Sequence, residues 1–175
     1  TNLTSMDFTN NFIKGNLLDY SDLESLQYAS FSQNLLTGSL PSHFMNLTSL
    51  MFLDLSFNNL TGPIPGEIKN LKSISTLNLC FNSIIGPLPV TMRNLVNLEN
   101  LFLLGNKFEG PLDPVIPTIL NLSHIDLSHN MFSGNLANWT SLTKIRKIII
   151  RGNDLSGELP SYAMLETLVT LDLNG

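Results

Sequence analysis

Apolar and polar positions recur along this chain with a period of 23 or 24 residues, and every recurrence has the same internal spacing. The columns appear when the chain is aligned on one asparagine: Asn11, Asn34, Asn58, Asn82, Asn106, Asn130 and Asn153. Five residues earlier stand Met6, Ala29, Leu53, Leu77, Leu101, Ile125 and Ile148, and three earlier stand Phe8, Phe31, Leu55, Leu79, Leu103, Leu127 and Ile150. Two residues later come Ile13, Leu36, Leu60, Ile84, Phe108, Phe132 and Leu155. Four later comes a glycine in every copy, from Gly15 to Gly157, and seven later a proline in four of them, Pro41, Pro65, Pro89 and Pro160.

A fixed period of this length means stacked coils, each burying its apolar side chains against the next. The apolar pair ahead of the asparagine alternates with polar residues, so it predicts a short strand with two inward side chains. In-register stacking then builds one parallel sheet, with strands ~4.8 Å apart and centred near Asp7, Ser30, Asp54, Asn78, Phe102, Asp126, Ile149 and Asp172. The asparagine falls where the chain leaves the strand, and its amide is expected to be buried and to satisfy backbone groups that the turn strands. The glycine suits a turn of unusual φ, and the proline a place with no ladder donor to lose. Ile68, Leu71 and Ile74 stand three apart, as in a short helical or 3₁₀ stretch behind the sheet.

Leu47 to Pro65, LTSLMFLDLSFNNLTGPIP, matches the pattern LxxLxxLxLxxNxLxGxIP throughout. On these residues the chain resembles the leucine-rich repeat family, in particular its plant extracellular subclass. The resemblance runs over residues 3–173, with seven copies in phase and an eighth that stops before its asparagine. It implies an α/β solenoid, a right-handed curved horseshoe, with the parallel sheet on its concave side and short second strands and 3₁₀ turns on its back. Leu18, Asp113 and Ala137 stand where the pattern has proline, which is expected to weaken the second strand of those coils. Residues 1–175 are expected to be one repeat domain, a fragment without the capping units of the subclass.

Composition narrows the reading. Charged residues make up only 13% and the formal net charge is −5, with no basic run, which argues against a nucleic-acid partner. No apolar stretch approaches the ~20 residues of a membrane span. No signal peptide is legible at the N-terminus, so the chain reads as mature or cut from something longer. A single cysteine, Cys80, leaves no internal disulfide or thiolate metal cluster.

Candidate chemistry lies on the outward positions, six, four and two residues before each asparagine. Much of this face is bland, with the filler Asp-x-Ser at Asp54–Ser56 and Asp126–Ser128. The candidates for contact are the neighbours Tyr28 and Phe52, the apolar pair Phe102 and Leu104, His124 with Asp126, and the cations Lys147 and Arg151. Exposed aromatic residues on such a face are a contact cue, and the two cations suit an anionic group unless salt bridges to Asp126 or Asp172 claim them. Cys80 also counts as outward. His124, Asp126 and Ser128 have the residue types of a catalytic triad, but alternate residues on a strand stand ~7 Å apart, too far for proton relay. Neither a phosphate loop nor a nucleophile elbow appears, so the chain itself reads as non-enzymatic and cofactor-free.

Five Asn-x-Ser/Thr sequons, at Asn2, Asn46, Asn59, Asn121 and Asn138, point to N-glycosylation and the secretory pathway. The resemblance then implies the ligand- or co-receptor-binding ectodomain of a plant receptor-like kinase or receptor-like protein. Its partners would be a peptide or protein ligand and a co-receptor, and any kinase would lie in a part of the parent outside this sequence. The alternative is a secreted wall inhibitor similar to polygalacturonase-inhibiting proteins.

Overall fold

A computed structural model describes residues 2–136, 139–158, 161 and 165–174. Eight three-residue strands form one parallel sheet in chain order: Ser5–Asp7, Tyr28–Ser30, Phe52–Asp54, Thr76–Asn78, Asn100–Phe102, His124–Asp126, Lys147–Ile149 and Thr170–Asp172. Each strand is centred on the first inward residue, one position before the expected centre. The second inward residue already belongs to the turn, where its N–H bonds to the next coil, as Leu55 N does to Asn78 O. In the middle of the stack the inward leucines Leu53, Leu55, Leu77, Leu79, Leu101 and Leu103 are wholly buried. Phe8 and Leu171, in the outermost coils, are exposed because a neighbouring coil covers them on one side only.

A second set of strands, two to five residues long, follows the turns and makes two further parallel sheets, one of three strands and one of four. Proline does not decide them. Lys107–Pro111, in the coil with Asp113, runs five residues, Met131–Gly134, in the coil with Ala137, runs four, and Lys14–Gly15 forms in the coil with Leu18. The coil that does carry Pro89 has only Ile85–Gly86. The glycine in this segment does recur structurally, with φ between +69° and +90° in all seven coils, a region that a Cβ disfavours. Ala137 and Pro160 lie outside the described residues. Among the described residues the back of the solenoid carries five 3₁₀ helices, such as Gly66–Asn70, which buries Ile68, and Val90–Asn94, which buries Met92. The chain thus makes an α/β-type horseshoe whose back is 3₁₀ among the described residues.

The asparagine ladder has a direction. The Asn58 Nδ2 donates to Phe31 O in the preceding coil and to Leu55 O and Ser56 O in its own, and its Oδ1 accepts from Leu36 N, again in the preceding coil. Asn34, Asn82, Asn106, Asn130 and Asn153 repeat this reach backwards. The expectation that all seven are buried needs correction. Asn34, Asn58, Asn106 and Asn130 are buried, Asn82 and Asn153 half-buried, and Asn11 exposed. The Asn11 side chain bonds only Phe8 O and Thr9 O of its own turn, since no described coil lies on the side to which its amide would reach.

Candidate ligand-binding face

Strand register sorts the open face of the large sheet into rows. One row runs Ser5, Tyr28, Phe52, Thr76, Asn100, His124, Lys147, Thr170, and the next Asp7, Ser30, Asp54, Asn78, Phe102, Asp126, Ile149, Asp172. Neighbours within a row stand one strand apart, so they pool their chemistry.

Tyr28 and Phe52 are half-buried and stack, with ring centroids 4.6 Å apart and planes 6° from parallel. Most of their apolar area is therefore spent on each other. Phe102 and Leu104 are half-buried, and among the described residues no ring stacks on Phe102. Beside Phe102 in register stands Asp126, and beside His124 stands Lys147. Across the face, Phe102 is thus followed by Asp126 and His124 on the next strand and by Lys147 on the one after.

Several outward residues do structural work instead. Asp7, Asp54 and Asp126 each accept the backbone N–H two residues on, at Thr9, Ser56 and Ser128, over 2.8–3.1 Å. The Asp-x-Ser filler is thus a turn device, and one carboxylate oxygen of Asp126 is committed to it. The serines in those turns point outward by alternation, yet Ser56 and Ser128 are buried because they are short and flanked by larger neighbours. Ile149 is buried too. Arg151 is tied to Asp172, Nε to Oδ2 at 3.5 Å, so of the two cations only Lys147 is exposed without a salt bridge.

Cys80 is covered. Its outward position does not expose it: it is buried, and burial, with Asp54 and Asp126 adding negative charge nearby, pushes its thiol up to about 12. A thiol held neutral is neither a nucleophile nor a ready disulfide partner.

An apolar edge escaped the reading of the sequence. The residue just before each ladder asparagine has left-handed backbone: Asn10, Gln33, Phe57, Phe81, Gly105, His129 and Gly152, with φ between +52° and +69°. Asn and Gly fill three of the seven places, and that was the available signal. Phe57 and Phe81, 49% and 44% exposed, stack there at 4.4 Å, on the edge of the face that carries Leu104.

The family model described as Leucine Rich Repeat matches residues 25–47, 49–71 and 121–142. The chain carries leucine-rich repeats. Its repeats superpose on a crystal structure of PEPR1–AtPEP1 with a TM-score of 0.94 and 32% identity, over 98% of this chain and 25% of that one. They also superpose on the leucine-rich repeat ectodomain of the Arabidopsis receptor kinase HAESA, solved with an N-terminally extended IDA peptide hormone ligand. There the TM-score is 0.91 and the identity 29%, over 97% of this chain and 29% of that one. A plant ice-binding protein shares the architecture at a TM-score of 0.70 and 25% identity, over 98% of this chain and 64% of that one. No curated protein matches significantly. The repeats described here thus span about a quarter of the length of the receptor ectodomains they resemble.

Proposed function

We propose that this chain is part of the extracellular, ligand-binding ectodomain of a plant membrane receptor-like kinase or receptor-like protein, and that it perceives a peptide with its open sheet face. One observation carries the reading: Phe102 and Leu104 offer unpartnered apolar area next to Asp126, His124 and the uncommitted Lys147. An extended peptide with an apolar residue followed by an acidic group or free carboxylate matches that order. The neighbours support it, since the HAESA structure holds a peptide hormone. Fold alone does not, because the same repeats occur in an ice-binding protein. Entry into the secretory pathway, with glycans on Asn2, Asn46, Asn59, Asn121 and Asn138, belongs to the same proposal. Asn2, Asn46 and Asn59 are exposed and Asn121 is half-buried, whereas Asn138 lies outside the described residues.

Selection from a random peptide display library against the purified chain tests it. Enriched peptides should share the apolar–acidic order and lose binding to Phe102→Ala. Enrichment of peptides indifferent to Phe102→Ala and Lys147→Ala places the working surface elsewhere.

A further inference from the structure

One open cavity lies off the sheet face. It is a groove of about 580 Å³ along the edge where the strands begin, running across successive coils between Gln27 and Lys144. A second cavity of about 300 Å³ continues it towards Thr167, and Glu99, Asn121 and Lys144 line both. Asn121 therefore sits at the junction, and with Leu122 and Ser123 it forms a sequon.

The Asn121 amide is held at both ends. Its Nδ2 donates to Val96 O and its Oδ1 accepts from Lys144 Nζ, each at 2.6 Å. N-glycosylation replaces one of the two Nδ2 hydrogens and leaves the other. One Nδ2 hydrogen thus remains to donate, and Oδ1 stays free to accept from Lys144. The amide is then a fixed root for a sugar chain starting inside the groove. By contrast, Asn2, Asn46 and Asn59 are exposed and line neither cavity.

The lining selects the occupant. Ser49, Ser73, Ser75, Asn97 and Glu99 present hydroxyl, amide and carboxylate groups, and Met51 is the one apolar residue of the larger cavity. Protein interfaces centre on buried apolar and aromatic anchors, which this groove lacks. A saccharide, with a hydroxyl on almost every carbon, both donates to and accepts from such side chains. Covalent attachment also supplies the ligand at the millimolar effective concentrations typical of short tethers. We infer that the glycan on Asn121 lies along this groove and covers the strand-entry edge, leaving the sheet face and the Phe57–Phe81 edge as the surfaces open to partners. This rests on the secretory-pathway reading above.

The test uses the chain secreted from human cells. Peptide mass spectrometry should find Asn121 occupied. On the folded protein, a peptide N-glycosidase should release the Asn121 glycan at least about tenfold more slowly than those on Asn46 and Asn59, and all at one rate after denaturation. Acetylation of Lys144 should be at least about fivefold faster in Ser123→Ala, which removes the sequon and keeps Asn121, while the exposed Lys72 reacts equally in both. Asn121 bare beside occupied Asn46 or Asn59 overturns the groove assignment and leaves the secretory reading standing. So does release at equal rates, or Lys144 equally reactive with and without the glycan. All sequons bare overturns both.

Discussion

Phe81 occupies the space that a side chain on Gly105 would need. A Cβ built there would lie 2.9 Å from the Phe81 ring, while Phe57 packs against the same ring with centroids 4.4 Å apart. Gly105 also has φ +69°. Gly105→Ala therefore meets both a clash and a backbone penalty. Left-handed backbone costs an alanine roughly 1–2 kcal/mol, and displacing Phe81 adds to it. Thermal unfolding followed by circular dichroism should show Tm lowered by at least about 3 °C, given ~2–4 °C per kcal/mol for a domain of this size. A Tm equal to wild type would mean that the ring moves aside freely and the edge is not fixed.

The ladder asparagines should not be equivalent. Asn58→Ala strands Leu36 N–H in a buried turn and takes one donor each from the Phe31, Leu55 and Ser56 carbonyls, which keep Asn34 Nδ2, Asn82 Nδ2 and Gln33 N. One unsatisfied buried N–H costs ~1–3 kcal/mol and each further lost bond ~0.5–1.5 kcal/mol, so with partial relaxation the loss should be roughly 3 kcal/mol. Asn11→Ala removes two bonds at an exposed turn and should cost under about 1 kcal/mol. Urea titrations of the two variants settle the ratio, and equal losses would contradict the directional arrangement.

Binding should divide between two kinds of contact. Burying an aromatic side chain is worth ~1.5–3 kcal/mol, so Phe102→Ala should weaken a selected peptide about tenfold without lowering Tm, because the ring is outside the core. Lys147→Ala should weaken it less, and the difference should shrink at 1 M salt, where the Debye length is about 3 Å. Calorimetry at two salt concentrations reads both effects.

Cys80 should be silent to thiol reagents at pH 8 in the folded chain and react on unfolding. Its pKa is raised in the folded state, from 9.0 to about 12. Its contribution to stability is therefore complete below about pH 9 and is lost as pH rises towards 12, since the unfolded thiol ionises first. Cys80→Ser should remove that decline between pH 9 and 12. Rapid labelling of folded protein at pH 8 would place the thiol at the surface.

Period and register were legible because each copy repeats the same demands. A two-residue alternation fixes which side chains face inward, and seven glycines mark the same left-handed turn. The candidate rows followed from that arithmetic, so Tyr28 falls beside Phe52 and His124 beside Lys147 as the count implies. What the count could not give was exposure and commitment. Counting assigns Cys80 and Phe102 to the same face, yet larger neighbours bury the first. It makes Arg151 and Lys147 alike, but only Arg151 finds Asp172. It gave no weight to the residue before the asparagine, where Phe57 and Phe81 hide among Gln, His and Gly with no common chemistry and share only a backbone angle.

Because each amide reaches back to the same groups of the preceding coil, the coils are interchangeable units. Removing the 24 residues from Asn58 to Phe81 would bring Asn82 to Phe31 O and Leu36 N, the partners that Asn58 has now. The array can therefore lengthen or shorten by whole coils and heal at each joint. Its outer surface behaves as a row of replaceable tiles, so a lineage can acquire a new specificity by exchanging a tile while the frame that holds it stays as it was.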